Sequence, residues 1–170
     1  DNNATDNKEQ FDLSTKDTEI LDGQVNVTIA YYESQGDADL GTNGITTPYT
    51  NTSSPQLIIA VLTNTITNCS SSVSFNLVVN PLPLVINPTP LAVCDDAVPD
   101  GLTEIDLSLK DLEVTDNNPS YAVSYYETLA DAESNTDALP TFYTNTSNGQ
   151  IIFVRVEDST TGCYDTTSLE

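Results

Sequence analysis

Short runs of alternating apolar and polar residues recur along the chain, and no stretch sustains the 3.6-residue period of a long helix. Val25, Val27, Ile29 and Tyr31 form one such run, and Val73, Phe75, Leu77 and Val79 another. Each predicts a strand with one buried face. Phe11 and Leu13, interleaved with Asp12 and Ser14, predict a shorter strand. Residues 15–21 follow as a single helical turn capped by Ser14. Turn formers such as Asp22-Gly23 separate these pieces.

The pattern is written twice. Phe11-Asp12-Leu13-Ser14 returns as Ile105-Asp106-Leu107-Ser108, and Tyr31-Tyr32-Glu33 as Tyr125-Tyr126-Glu127. Tyr49-Thr50-Asn51-Thr52-Ser53 recurs intact as Tyr143-Thr144-Asn145-Thr146-Ser147, and Cys69 maps onto Cys163. Every pair lies 94 residues apart, without a gap. The two copies also reveal faces. Ile58, Ala60 and Leu62 stay apolar as Ile152, Val154 and Val156, so they point inward, whereas Val61 on the other face becomes Arg155. The same logic turns Tyr32 and Tyr126 outward. Asp37-Ala38-Asp39 and Asp131-Ala132-Glu133 then occupy a helical turn after that strand.

Many short strands with frequent turns predict an all-β fold: two tandem immunoglobulin-like β-sandwich repeats arranged end to end, over residues 1–82 and 83–170. A small Greek-key barrel is the alternative. Between the repeats, Pro81, Pro83, Pro88 and Pro90 fix φ and forbid helix, and residues 84–86 are expected to enter the second domain as its first strand. The repeat phase places the equivalent of Cys94 immediately before Asp1. With no methionine present, a processed chain or an excised fragment is expected, its first repeat short at the start and its second short at the end.

Charge narrows the function. Twenty-six acids face four bases, a formal net charge of −22, so nothing here can neutralise nucleic-acid phosphates or an anionic membrane. No run of 18 apolar residues exists to span a bilayer. The acids are uneven: none lies between Leu40 and Cys94, and they gather at the repeat starts, from the polar stretch of residues 1–10 onward, and after the Tyr-Tyr-Glu strand. Acidity of this kind either keeps an exposed surface soluble or binds cations. Asp95, Asp96, Asp100, Glu104 and Asp106 fall within twelve residues, an oxygen-only set that suits calcium without matching an EF-hand loop. A solvated acidic loop is the other reading, in which no cofactor is needed.

Histidine is absent, and neither Cys69 nor Cys163 has a base nearby in sequence, so catalysis is not expected. The contest is between a structural spacer and a glycan-binding module. Tyr32 and Tyr126 on the outward face, with Tyr49 and Tyr143 near a loop, are the candidate ligand contacts for the module; packing against a neighbouring loop or domain is their alternative role.

The succession Cys-Asp-Asp, Asp-Gly, Ile-Asp-Leu-Ser, Tyr-Tyr-Glu, Asp-Ala, Tyr-Thr-Asn, Thr-Gly-Cys and Pro-Leu-Pro resembles the repeats of giant cell-surface adhesins in gliding Bacteroidota, exported by the type IX secretion system. The resemblance covers essentially the whole chain; the first copy departs from it at Thr67-Asn68-Cys69. It implies an extracellular adhesin stalk on the bacterial surface, involved in attachment and gliding. Implied partners are neighbouring repeats, surface polysaccharide or other adhesin chains. It also implies O-glycosylation at an Asp-Ser/Thr motif, with Ser159 and Thr166 as the candidates and bare loops as the alternative.

The cysteine count is odd until the repeat phase is applied. One cysteine then opens each repeat and one closes it, so Cys94 with Cys163 is the expected bridge. It would close a loop of roughly 70 residues and contribute about 4 kcal/mol in the chain-entropy model. Three reduced thiols are the alternative.

Overall fold

The computed structural model describes residues 6–170; the first five residues of the acidic opening, which also begin the first domain, lie outside that range. The chain divides into two compact units, Asp1–Pro81 and Leu82–Glu170.

In the first unit, β2 (Val27–Tyr32), β4 (Gln56–Asn64) and β5 (Ser70–Leu77) form an antiparallel sheet in the order β2-β4-β5. A two-stranded sheet pairs β1 (Gln10–Phe11) with β3 (Tyr49–Thr50). Between the sheets Leu13, Tyr31, Ile58, Ala60 and Leu77 make the core, with Phe11, Tyr49 and Phe75 packed against it. The Tyr31 and Phe75 rings meet edge to face, centroids 6.1 Å apart.

The second unit repeats this plan. Here β7 (Tyr121–Tyr126), β9 (Ile152–Asp158) and β10 (Tyr164–Leu169) form the larger sheet, ordered β10-β9-β7. The smaller sheet pairs β6 (Glu104–Asp106) with β8 (Phe142–Thr144). Leu107, Val114, Tyr125, Ile152, Val154, Val156 and Leu169 fill the space between. The register is preserved as well: Ile58 opposes Phe75 and Ile152 opposes Leu169, each pair shifted by the repeat period. The architecture is therefore two tandem β-sandwich repeats, with inner faces where Ile58, Ala60, Leu62 and their counterparts require them.

Local structure departs from the sequence reading in three places. The opening strands are only two and three residues long, because Leu13 and Leu107 already begin a 3-10 turn (Leu13–Lys16, Leu107–Lys110) that runs into α1 (Asp17–Leu21) and α3 (Asp111–Val114). The cap is Asp12, not Ser14: its carboxylate accepts the Ser14 N–H at 3.1 Å, as Asp106 accepts that of Ser108 at 3.0 Å. Residues 84–86 are extended along the second unit, but they form no ladder. Instead the Ile86 N–H donates to the Val114 carbonyl at 3.0 Å and the Leu91 N–H to that of Glu170 at 2.7 Å. Prolines on either side interrupt any regular pairing.

One further helical turn lies on the outer face of each larger sheet: α2 (Gln35–Leu40) in the first unit and α4 (Leu129–Ser134) in the second. Ser34 and Thr128 cap them, accepting the Asp37 and Asp131 N–H groups. Gly41 and Asn135 end them in the left-handed region, at φ 64° and 53°.

Candidate functional site

A buried side-chain amide must find partners for its oxygen and its two N–H groups. Asn51, 1% exposed, finds all three: its Oδ1 accepts the Glu9 N–H at 2.6 Å, and its Nδ2 donates to the Asn7 and Ser53 carbonyls, each at 2.9 Å. Asn145 does the same with the Thr103 N–H at 2.7 Å and the Gly101 and Ser147 carbonyls at 2.9 Å. Beside them Gln56 and Gln150 accept the Thr52 and Thr146 N–H groups and donate to the Tyr49 and Tyr143 hydroxyls. The intact Tyr-Thr-Asn-Thr-Ser motif is thus a clamp. It ties the start of each repeat to the loop before its central strand.

The Tyr-Tyr pair is equally internal. Tyr31 and Tyr125 donate their hydroxyls to Asp17 and Asp111. Burial, then the accepting carboxylate, pushes both phenols up from their ordinary range. Tyr32 and Tyr126, expected to face a ligand, are 8% and 0% exposed. The alternation does turn them to the outer face, but α2 and α4 cover it. The Tyr126 hydroxyl reaches Asn135 at the end of α4, with the Ser124 hydroxyl 2.9 Å away. Neither ring is available to a glycan.

Arg155 completes that covered face in the second repeat. Its guanidinium donates to the Ala132 and Glu133 carbonyls of α4 at 3.0 and 3.2 Å and to the Glu157 carboxylate at 2.7 Å. It also lies 3.3 Å from the centre of the Tyr164 ring. The first repeat has Val61, Thr63 and Ser70 at the equivalents of Arg155, Glu157 and Tyr164.

The carboxylates proposed for calcium are spread among separate duties. Asp95 accepts the Asp96 and Gly101 N–H groups, Asp96 that of Val98, Asp100 that of Leu102, and Asp106 caps its 3-10 turn. Among the described residues, no group of three or more His, Cys, Asp or Glu is placed to hold a metal ion. Ser159 is exposed in the turn between β9 and β10, and Thr166 is half-buried on β10.

The entry segment of the second repeat is held by an ion pair. Lys110 Nζ lies 2.7 Å from both Glu113 Oε2 and Thr89 Oγ1, and Glu113 Oε1 accepts the Thr89 N–H at 2.6 Å. The Lys110 ammonium, then the Thr89 amide, hold the Glu113 carboxyl down to about 2. A folded pKa below the unfolded one stabilises above the unfolded value, and that stabilisation fades as pH falls towards the folded value. The contacts around Thr89 should therefore loosen between about pH 4.5 and 2. An NMR titration should place the midpoint of the Thr89 amide shift near the lower end of that window. In Glu113→Gln the pH response should vanish.

All three cysteines are free. Cys163 sits at the turn between β9 and β10. Cys94 adjoins Asp95, whose carboxylate holds the Gly101 N–H, and Gly101 in turn packs by Asn148 before β9 begins. The paired lengths of β9 and β10, from Tyr164↔Glu157 to Leu169↔Ile152, thus lie between the two thiols. Six residues of strand span roughly 17–20 Å, against the roughly 4–7 Å between Cα atoms that a disulfide allows. The structure does not bring Cys94 and Cys163 together.

Sequence reasoning gave no role to the residues that form the clamp, Asn51, Gln56, Asn145 and Gln150. The signal was present: a polar motif recurring intact between two diverged copies. Among the described residues, no helix is long and apolar enough to cross a membrane. No curated protein matches the chain. The model of one family, the Flavobacterium inter-domain disulphide bond domain, matches residues 1–83 and again residues 90–170, and the chain belongs to that family, as two consecutive copies of its domain.

Proposed function

We propose that the chain is a non-catalytic length of stalk from a secreted bacterial surface adhesin, in which disulfides couple each repeat to the next. The observation that carries this reading is where the shared residues are spent. Asn51, Gln56, Tyr31 and their counterparts all face inward, onto each repeat's own loops and core. A module repeated for binding would keep its common residues at an outward site. The resemblance to adhesins of gliding Bacteroidota supports an extracellular setting, where thiols oxidise. In that setting Ser159 is the more accessible place for a sugar.

The family's description, an inter-domain disulphide, agrees with the separation of Cys94 from Cys163. Asn87 meets Thr167 and Leu91 meets Glu170, so the entry segment runs parallel to β10, from the Cys163 end of the repeat to the Cys94 end. The last strand of one repeat leads directly into the entry segment of the next. In this reading the opening and closing cysteines of a repeat, held at its opposite ends, each pair outside their own repeat, as the family's description implies. A cysteine added immediately before Asp1, at the position set by the 94-residue period, supplies such a partner. Non-reducing mass spectrometry should find it bridged to Cys163, leaving Cys69 and Cys94 free. A Cys94–Cys163 peptide would instead return the bridge to a single repeat and remove the coupling role.

A further inference from the structure

The two repeats differ at one surface, because the 94-residue phase starts the first at the equivalent of Asp95 and residues 82–93 have no counterpart within it. In the second, an extended segment, residues 82–93, lies in a groove between β10 and the 3-10 turn of Leu107–Lys110. Val85 and Leu91 pack on the core there, and Thr89 engages Lys110 and Glu113. The corresponding surface of the first repeat is an open groove of about 290 Å³, lined by Phe11, Leu13, Thr15, Lys16, Phe75 and Leu77. Four of these six match Ile105, Leu107, Lys110 and Leu169, the surface beneath the segment in the second repeat.

Exposure records the difference residue by residue. The Lys110 and Glu113 side chains are 10% and 32% exposed, whereas the equivalent Lys16 and Glu19 pair, also closed at 2.8 Å, stands at 47% and 73%. Val114 is fully buried with its carbonyl holding the Ile86 N–H; its counterpart Ile20 is only half-buried. Val73, equivalent to the Thr167 that meets Asn87, is 48% exposed. Lys16, Glu19, Ile20 and Val73 are thus in place for an occupant of known chemistry.

We infer that the groove on the first repeat is the docking site for an extended, proline-punctuated segment of the kind seen in residues 82–93, supplied by polypeptide on the N-terminal side of that repeat. Apolar side chains at the Val85 and Leu91 positions would seat against Phe11, Leu13 and Phe75. A hydroxyl and N–H at the Thr89 position would take up Lys16 and Glu19. The segment would be held as residues 82–93 are, by apolar side chains seated on the core and isolated main-chain bonds, without a continuous ladder. The inference rests on comparing the two repeats, not on which cysteines pair.

A fusion tests it: residues 82–93, followed by serine in place of Cys94, placed directly before Asp1 of the whole chain. The melting transition of the first repeat should rise by about 5–10 °C, with Phe11, Lys16 and Phe75 NMR signals changing and the protein remaining monomeric. Val85→Asp with Leu91→Asp, made in the fused copy alone, should abolish the gain. An unchanged transition, or an equal gain from the aspartate fusion, would overturn the proposal. A dimer would overturn the covalent source, since the segment would then be captured from a second copy.

Discussion

Arg155→Ala should destabilise the second repeat by about 3–5 kcal/mol, the range for breaking a buried pair by removing one partner. Arg155 is 6% exposed and serves three masters: the carbonyls ending α4, the Glu157 carboxylate and the Tyr164 ring. Alanine would leave the Ala132 and Glu133 carbonyls without this donor, strand a carboxylate that is one-third exposed, and open a gap beneath α4. The first repeat reaches the same fold with Val61, Thr63 and Ser70 at these positions, so the ion pair is one solution rather than a requirement. The triple variant Arg155→Val, Glu157→Thr, Tyr164→Ser should accordingly recover more than half of the loss, because removing both charges together strands neither, and the first repeat already folds with this set. Denaturant unfolding of the two variants settles the matter. Equal destabilisation by both would mean that Arg155 acts alone, not as part of an exchangeable set.

That comparison also marks what could be read in advance. The repeat period, the alternating strands and the inner faces were legible because burial in a sheet leaves a period-2 trace that two diverged copies make unambiguous. The burial of Tyr32 and Tyr126 was not legible. Alternation assigns them correctly to the outer face, but it cannot say that α2 and α4 cover it. The carboxylates from Asp95 to Asp106 looked like a cation site because their count was visible and their targets were not; Asp95, Asp96, Asp100 and Asp106 each answer a backbone N–H within six residues. The cysteines show the same gap between sequence distance and space. Loop length sets the entropy of a bridge between Cys94 and Cys163, but not whether the loop's ends meet.

Asn51→Ala should cost the first repeat about 3 kcal/mol, lowering its melting transition by roughly 10–20 °C while leaving that of the second in place. Alanine keeps the backbone and removes every partner the amide supplies. The Glu9 N–H loses an acceptor, and the Asn7 and Ser53 carbonyls lose their donor, at a site that is 1% exposed. The loop from Thr52 to Gln56 would then be held by Gln56, through the Thr52 N–H, and by the Ser54 hydroxyl, which accepts the Val79 N–H. Asn51→Asp separates the donor role from the acceptor role. An aspartate still accepts from Glu9, but at neutral pH it sets a negative charge against two carbonyl oxygens, so it should be no better than alanine. Below the carboxyl pKa it regains one donor, and part of the loss should return. Asn145→Ala should reproduce the effect in the second repeat, more weakly, since Asn145 is half-buried rather than fully enclosed. Calorimetry on the intact chain reads each transition separately. A shift of less than 1 kcal/mol for Asn51→Ala, or equal movement of both transitions, would show that the shared motif is not the clamp that holds each repeat closed.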